Sequence, residues 1–478
     1  MTSTLPAARR RPVFAGLALS LAALGLGGVA RAELPAYALE LLARANAPGN
    51  PVGSYRMPLG WSVSSETPKL NDAGQLAFRV TTTNFSHALW FGERRAGGIV
   101  YETPTEAFLT DVAINAGGDV VFSLADLPSG QTPGLYLFRS SLGGAPAFFS
   151  NKPVGASSWS STSLDDAGRV AVRAAFPNFD AHVVIDPTGQ QATFYVLETG
   201  GDPASPYVFL YSPAMNEVGQ IVSVASPTIS PTVTYDLRRW NADGSSVRIA
   251  ADDTIAPGSP FRRFDSSAPS INDAGVVSFI ATLVGGGRGV FRSDGVTTTT
   301  IAREGVDGVG NNIEFFPTSL NNAGLVTFRA FDAQGRRAVW VGDGTSLAVV
   351  ARQNDLVPTD VGTGRIGQHD SSPAFGGAPI INQRGDISFN AGLTPPDNNQ
   401  IEWGSGLFVA FAVQAGAGGA AGAGGAGAGG AGAGGDAGTG GVGGAAGDAG
   451  AGGAGAGGAA GAGGDAGASG AGAGGAAG

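Results

Sequence analysis

Between residues 38 and 412 apolar positions recur with a period of two in short runs, and glycine-containing polar joints separate the runs. No stretch after residue 32 carries the 3.6-residue period of an amphipathic helix. The runs repeat one pattern. An aliphatic residue or methionine (Leu70, Ile114, Leu164, Met215, Ile271, Leu320, Ile381) precedes a polar tetrad that begins with Asn or Asp and ends with Gly. Two positions after the glycine stands Leu76, Val120, Val170, Ile221, Val277, Val326 or Ile387. Two further on stands Phe78, Phe122, Val172, Ser223, Phe279, Phe328 or Phe389. Alternation at that spacing belongs to strands, so each copy predicts strand, four-residue turn, strand.

The tetrads run from Asn71 to Gly74, Asn115 to Gly118, Asp165 to Gly168, Asn216 to Gly219, Asn272 to Gly275, Asn321 to Gly324 and Asn382 to Gly385. An Asn or Asp at the first turn position can bond its side chain to backbone two residues on. Gly at the fourth tolerates the positive φ that lets a type I turn rejoin a hairpin through a bulge. The acids of these tetrads, Asp72, Asp165, Asp166 and Asp273, are therefore read as turn residues rather than catalysts.

A third apolar stretch follows. Its bulky residue falls 19 positions after the Asn or Asp in five copies (Trp90, Val184, Tyr235, Phe291, Trp340), and Tyr136 and Phe408 take that place where loops are longer. These residues are expected in a core between repeats rather than on a carbohydrate platform. A fourth strand is predicted at "GGIVYET", "SVRIAAD", "TTIAREG" and "LAVVARQ". Copies start 44 to 61 residues apart, near the length of a propeller blade, and a four-stranded unit must stack on neighbours to bury its apolar face. The seventh copy runs out after "SGLFVAFA" without a fourth strand, whereas "LELLARANAPGNPVG" at 39 resembles the fourth-strand segment at 347. The expectation is an all-β, seven-bladed β-propeller over residues 33–414, closed by pairing Ala38 to Ala45 with the last blade. Closure removes exposed sheet edges.

The two ends differ from this body. Arg9, Arg10 and Arg11 precede an apolar run from Val13 to Ala30, and Ala30-Arg31-Ala32 supplies a small-x-small cleavage pattern, so residues 1–32 read as a secretory signal peptide. Residues 415–478 are Gly and Ala with six exceptions and have almost no side chain to bury, so a disordered linker or stalk is expected. G-x-G-x-x-G matches within it follow no strand and read as low complexity.

Removing the four signal arginines from 28 basic residues leaves 24 against 38 acidic ones, a net charge of −14. That argues against nucleic acid as a partner, and no stable membrane insertion is expected after cleavage. Zero cysteines exclude disulfides and thiol catalysis.

The pattern N-x-x-G-x-x-A-F, literal at Asn71, Gly74, Ala77 and Phe78, resembles the NxxGxxAF tandem-repeat (choice-of-anchor) family of exported bacterial proteins. The resemblance covers residues 38 to 412. It implies a signal peptide, a repeat domain and a C-terminal sorting or anchoring segment, and it implies no catalytic residue. The sequence departs from that plan at its end, where no hydrophobic helix, basic cluster or cysteine precedes Gly478.

Candidate chemistry is sparse. His87, His182 and His369 have no second histidine at zinc spacing, and no G-x-S-x-G or S-x-x-K motif occurs. Glu93, Glu102, Glu106, Asp252, Asp253 and Glu304 are scattered carboxylates that a propeller could gather at its channel for glycan chemistry. No catalytic, cofactor or metal residue is assigned. The sequence reading is an exported, monomeric, non-enzymatic binding or structural module at the cell surface or outside the cell, with a protein or glycan ligand. Its alternative is an extracellular polysaccharide hydrolase or lyase using carboxylates at the channel.

Overall fold

In each of the seven tetrads the amide of the fourth residue, glycine, donates to the carbonyl of the first, and the amide of the first donates to the carbonyl of the residue after the glycine; Gly74 to Asn71 and Asn71 to Gln75 are both 3.1 Å. The seven glycines hold φ between 76° and 88°, a region in which a Cβ would be strained. This is a type I turn closed by a bulge. The Oδ1 of the first residue accepts from the amide four residues on, as from Gln75 to Asn71 (2.9 Å), Arg169 to Asp165 (2.7 Å) and Asp386 to Asn382 (2.9 Å), and the expected contact two residues on is made at Asn382, whose Oδ1 also accepts from the Arg384 amide (3.1 Å). The bulge turns the amide four residues on inward, within reach of that oxygen.

The computed structural model describes residues 34–413 except 48, 51, 64–65, 83–85, 105–106, 130 and 370–371. The segments read as signal peptide and as Gly/Ala tail lie outside the described residues. Seven antiparallel sheets follow one another along the chain as blades of a β-propeller. Blade 2 is representative, with Phe108–Ile114 innermost, then Asp119–Ala125, Gly134–Arg139 and Ala147–Ser150. In blade 7 the order is Gly376–Ile381, Ile387–Thr394, Gly404–Val413 and finally Ala36–Ala45. That last strand pairs with Gly404–Val413 over its whole length, with Leu41 opposite Phe408, so the two ends of the repeat region close the ring.

Adjacent sheets bury their apolar faces against each other. Leu42, Leu407 and Val409 of blade 7 pack on Phe78 and Trp90 of blade 1, and Val121 and Leu135 of blade 2 pack on Val172 and Val183 of blade 3. In five blades the second-strand Phe lies directly across from the third-strand aromatic, as in Phe78 opposite Trp90 and Phe389 opposite Phe408, with centroids 4.8 and 5.4 Å apart. Blades 3 and 4 depart from the nineteen-residue spacing. Val172 faces Val183, which leaves Val184 on the opposite face, and Ser223 faces Arg238, with Tyr235 just before its strand. The hairpin loop is one residue shorter in blade 3 and longer in blade 4, and a one-residue slip exchanges the faces of a strand.

Candidate functional site

The polar atoms of the turns converge on the propeller axis and link blades. Asn71 Nδ2 donates to the Asn115 carbonyl (3.0 Å), Asn115 to Asp165 (3.3 Å), Asn216 to Asn272 (2.9 Å), Asn272 to Asn321 (3.3 Å), Asn321 to Asn382 (3.1 Å) and Asn382 back to Asn71 (3.0 Å). The remaining link needs a donor that Asp165 lacks. Arg169 supplies it, holding Asp165 Oδ2 at 2.6 Å through Nε and the Glu217 carbonyl at 3.0 Å through Nη2.

A second circuit runs one residue later. Ala116 N–H donates to Asp166 (2.7 Å), Asp166 to Glu217 (2.5 Å), Glu217 to Asp273 (3.1 Å), Asp273 to Asn322 (2.9 Å), Asn322 to Gln383 (2.7 Å) and Gln383 to Asp72 (2.7 Å). Ala116 has no side-chain acceptor to complete it. Among these carboxyls Glu217 is pushed up to about 7, first by desolvation and then by the charges of Asp166, Asp165 and Asp273.

Further along the axis the inner strands of all seven blades line a channel of about 660 Å³, within the ~300–1,000 Å³ of ligand pockets. Most of its wall is hydroxyl, small or proline, represented by Thr162, Ser163, Ser212, Pro269, Ser270 and Ser319. Ser161 and Ser212 hydroxyls bond across two blades at 2.8 Å. The charged side chains of the wall sit together at blades 1 and 2: Glu66, Lys69, Arg79 and Asp111. Arg79 grips Glu66 Oε1 through Nε and Nη2 at 2.9 and 2.6 Å and reaches the Leu109 carbonyl. Asp111 accepts from the Thr110 hydroxyl (3.0 Å) and the Ser161 amide (3.1 Å). Burial raises the Glu66 carboxyl, against the opposing pull of Arg79, and burial lowers the Lys69 amine.

The carboxylates suggested by sequence are elsewhere. Glu106 lies outside the described residues, and Glu93, Glu102, Asp252, Asp253 and Glu304 are absent from the channel wall. Asp252 and Glu304 instead receive backbone amides at blade-to-blade crossovers, from Tyr235 and Ile255 and from Arg288 and Ile313. The histidines are apart from one another. His87 Nδ1 accepts from the Leu109 amide, His182 Nε2 meets the Tyr211 carbonyl, and His369 Nδ1 lies 2.9 Å from Glu402. Among the described residues no group of three or more His, Asp or Glu is placed to hold a metal ion. Trp90, Phe291, Trp340 and Phe408 are buried and Tyr136 is partly buried, so the aromatic ladder is core.

Sequence reasoning overlooked Lys69. The signal was present, because the chain has two lysines, Lys69 and Lys152, and the position two before the turn is Ala113, Ser163, Ala214, Ser270, Ser319 or Ile380 in the other repeats.

Residues 38–333 match the family described as "Family of unknown function (DUF7453)". No curated protein matches the sequence. Among solved structures, TolB from Acinetobacter baumannii aligns at 11% identity with a TM-score of 0.35, covering 60% of this chain and 62% of that one. An oligogalacturonate lyase in complex with manganese aligns at 11% identity and a TM-score of 0.45, covering 80% and 99%. The acylaminoacyl peptidase of Pyrococcus horikoshii aligns at 11% identity and a TM-score of 0.45, covering 72% and 51%. The chain thus spans less than two thirds of TolB and about half of the peptidase, and at these identities the likeness says nothing about activity.

Proposed function

The chain belongs to the DUF7453 family, which brings no assigned activity, and from that premise we propose a non-enzymatic binding module that is exported and works at the cell surface or outside the cell, with a protein or glycan ligand. One observation carries the reading: the channel wall drawn from all seven blades is mostly Ser, Thr, Pro and Ala, a surface of donors and acceptors suited to recognition. Its two carboxylates are already engaged, Glu66 by Arg79 and Asp111 by Thr110 and Ser161. The arginine run, apolar segment and cleavage pattern of residues 1–32 support export. The six N-x-x-G copies and the D-x-x-G copy at Asp165 support kinship with the choice-of-anchor proteins, and the Gly/Ala stretch supports a tether.

Retention of a glycan or protein by the purified full-length protein, without product release, is the expected result. Turnover of any polymer overturns it. Intact-mass analysis of the exported protein checks the localisation, and a mass that retains Met1 refutes signal cleavage.

A polysaccharide hydrolase or lyase has one observation in its favour, the raised Glu66 carboxyl sharing the channel with Asp111. That reading requires Glu66→Gln to abolish product formation.

A further inference from the structure

We propose that Lys69 anchors the anionic group of a hydroxyl-rich ligand, so that the channel takes an acidic carbohydrate. The inference rests on the binding-module reading and names its ligand class. Lys69 stands in the short inner strand Lys69–Leu70, two residues before Asn71 of the asparagine ring, and lines the channel. Among the described residues its ammonium has no hydrogen-bond partner and no ion-pair partner within 4.0 Å. The other cation of the wall is spent, because Arg79 places Nε and Nη2 on Glu66 and Nη1 on the Leu109 carbonyl. Glu66 and Asp111 lie close enough to favour the charged amine, yet their oxygens serve Arg79, Thr110 and the Ser161 amide instead.

Lys69 is half-buried on the channel wall, so its ammonium stays reachable from the channel, and an anion arriving with a ligand gives it the charge-assisted partner it lacks. Burial in the wall lowers the amine, and a bound anion would raise it again. On the same wall the hydroxyls of Thr162, Ser163 and Ser267 can both donate and accept, which matches sugar hydroxyls better than an apolar guest. The chain's formal net charge is −10, so the general field of the protein repels an acidic glycan and retention has to come from the local cation.

The test is an array bearing neutral, uronate-carrying and sulfated oligosaccharides, probed with the full-length exported protein near pH 7. Wild type is expected to hold acidic glycans at least about ten-fold above neutral ones. Uronate against sulfate retention identifies the source of the anion. Lys69→Met is expected to abolish the acidic preference, and Lys152→Met, whose Nζ bonds a backbone carbonyl outside the channel, to leave it intact. Equal retention of neutral glycans, an unchanged Lys69→Met protein, or no glycan retention overturns the inference while leaving a module for protein ligands standing. Product release overturns the module itself. Should Lys69→Met fail to fold, amine labelling of wild type decides: an acidic oligosaccharide mixture must protect Lys69 and spare Lys152, and absence of protection refutes the proposal.

Discussion

Replacing Asn71 by Ala isolates the ring of turn side chains. Asn71 is 5% exposed. Its Nδ2 donates to the Asn115 carbonyl (3.0 Å) and to Gln75 Oε1 (2.8 Å), and its Oδ1 accepts from the Gln75 amide (2.9 Å). The Asn115 carbonyl keeps a partner after the substitution, because the Gly118 amide also donates to it (3.1 Å). The Gln75 amide keeps none. Losing one inter-blade bond costs about 1 kcal/mol and orphaning that amide about 1–3 more, so Asn71→Ala should lose about 2–4 kcal/mol. Asn71→Asp keeps the acceptor but removes the donor and turns a charge toward carbonyl oxygens, as Asp165 does in blade 3. There Arg169 compensates, reaching both Asp165 and the next blade. Asn71→Asp combined with Gln75→Arg rebuilds that pair in blade 1, with the Ala116 carbonyl as the counterpart of Glu217. Urea unfolding of wild type, the single mutants and the double mutant gives the coupling energy. The double mutant should be more stable than Asn71→Asp by about 1–2 kcal/mol. An Asn71→Ala loss below about 0.5 kcal/mol, inside the usual range of neutral surface changes, would refute the ring as a stabilising element.

Three further outcomes follow from the same structure. Glu217 has a folded pKa of about 7, above its ordinary 4.5; the fold binds its proton more tightly than the unfolded chain, so stability falls as pH rises from 4.5 through 7. Glu217→Gln should remove that fall and be more stable than wild type at pH 8 by on the order of 1 kcal/mol, a figure reduced for solvent screening of an exposed side chain, and equal stability at pH 8 counts against it. His182 has the opposite sign: burial lowers it to about 4 from 6.5, so its contribution is full above pH 6.5 and is lost as pH falls toward 4, by about 3 kcal/mol. His182→Gln should flatten that acid limb in denaturant titrations, and an NMR titration of the imidazole that moves near pH 6.5 contradicts the assignment. At the seam, Arg44 is buried and doubly bonded to Asp360, at 2.9 and 2.8 Å, and bonded to the Trp403 carbonyl at 2.9 Å. Arg44→Ala should cost about 3–5 kcal/mol by stranding these acceptors, measured by the same unfolding; a cost under 1 kcal/mol would mean the seam does not depend on the pair.

Much of the fold was legible from local pattern. Period-two apolar positions and a turn that needs Gly74 and its six counterparts act within a few residues, so the chain announces them without its partners. Even the closure was readable, since Leu39–Gly53 carries the missing fourth-strand pattern and Leu41 indeed faces Phe408. The site was less legible. Glu93, Glu102 and Glu304 look as available in the sequence as Glu66, and only the ring places Glu66 on the channel and leaves the others off it.

The sequence by itself determined the repeat, the strand-turn-strand unit and the count of blades, because hydrophobic alternation and backbone turn chemistry are short-range. Tertiary structure decided the strand register of blades 3 and 4, where loop lengths put Val183 and Arg238 in the facing positions. It also decided that Asn71 donates to a carbonyl 44 residues away and that Lys69, Arg79 and Asp111 share one wall. Asn71, Lys69 and Arg79 belong to blade 1, and Asn115 and Asp111 to blade 2. Their meeting depends on the angle at which seven wedges close, a property of the packed ring that no stretch of residues carries alone.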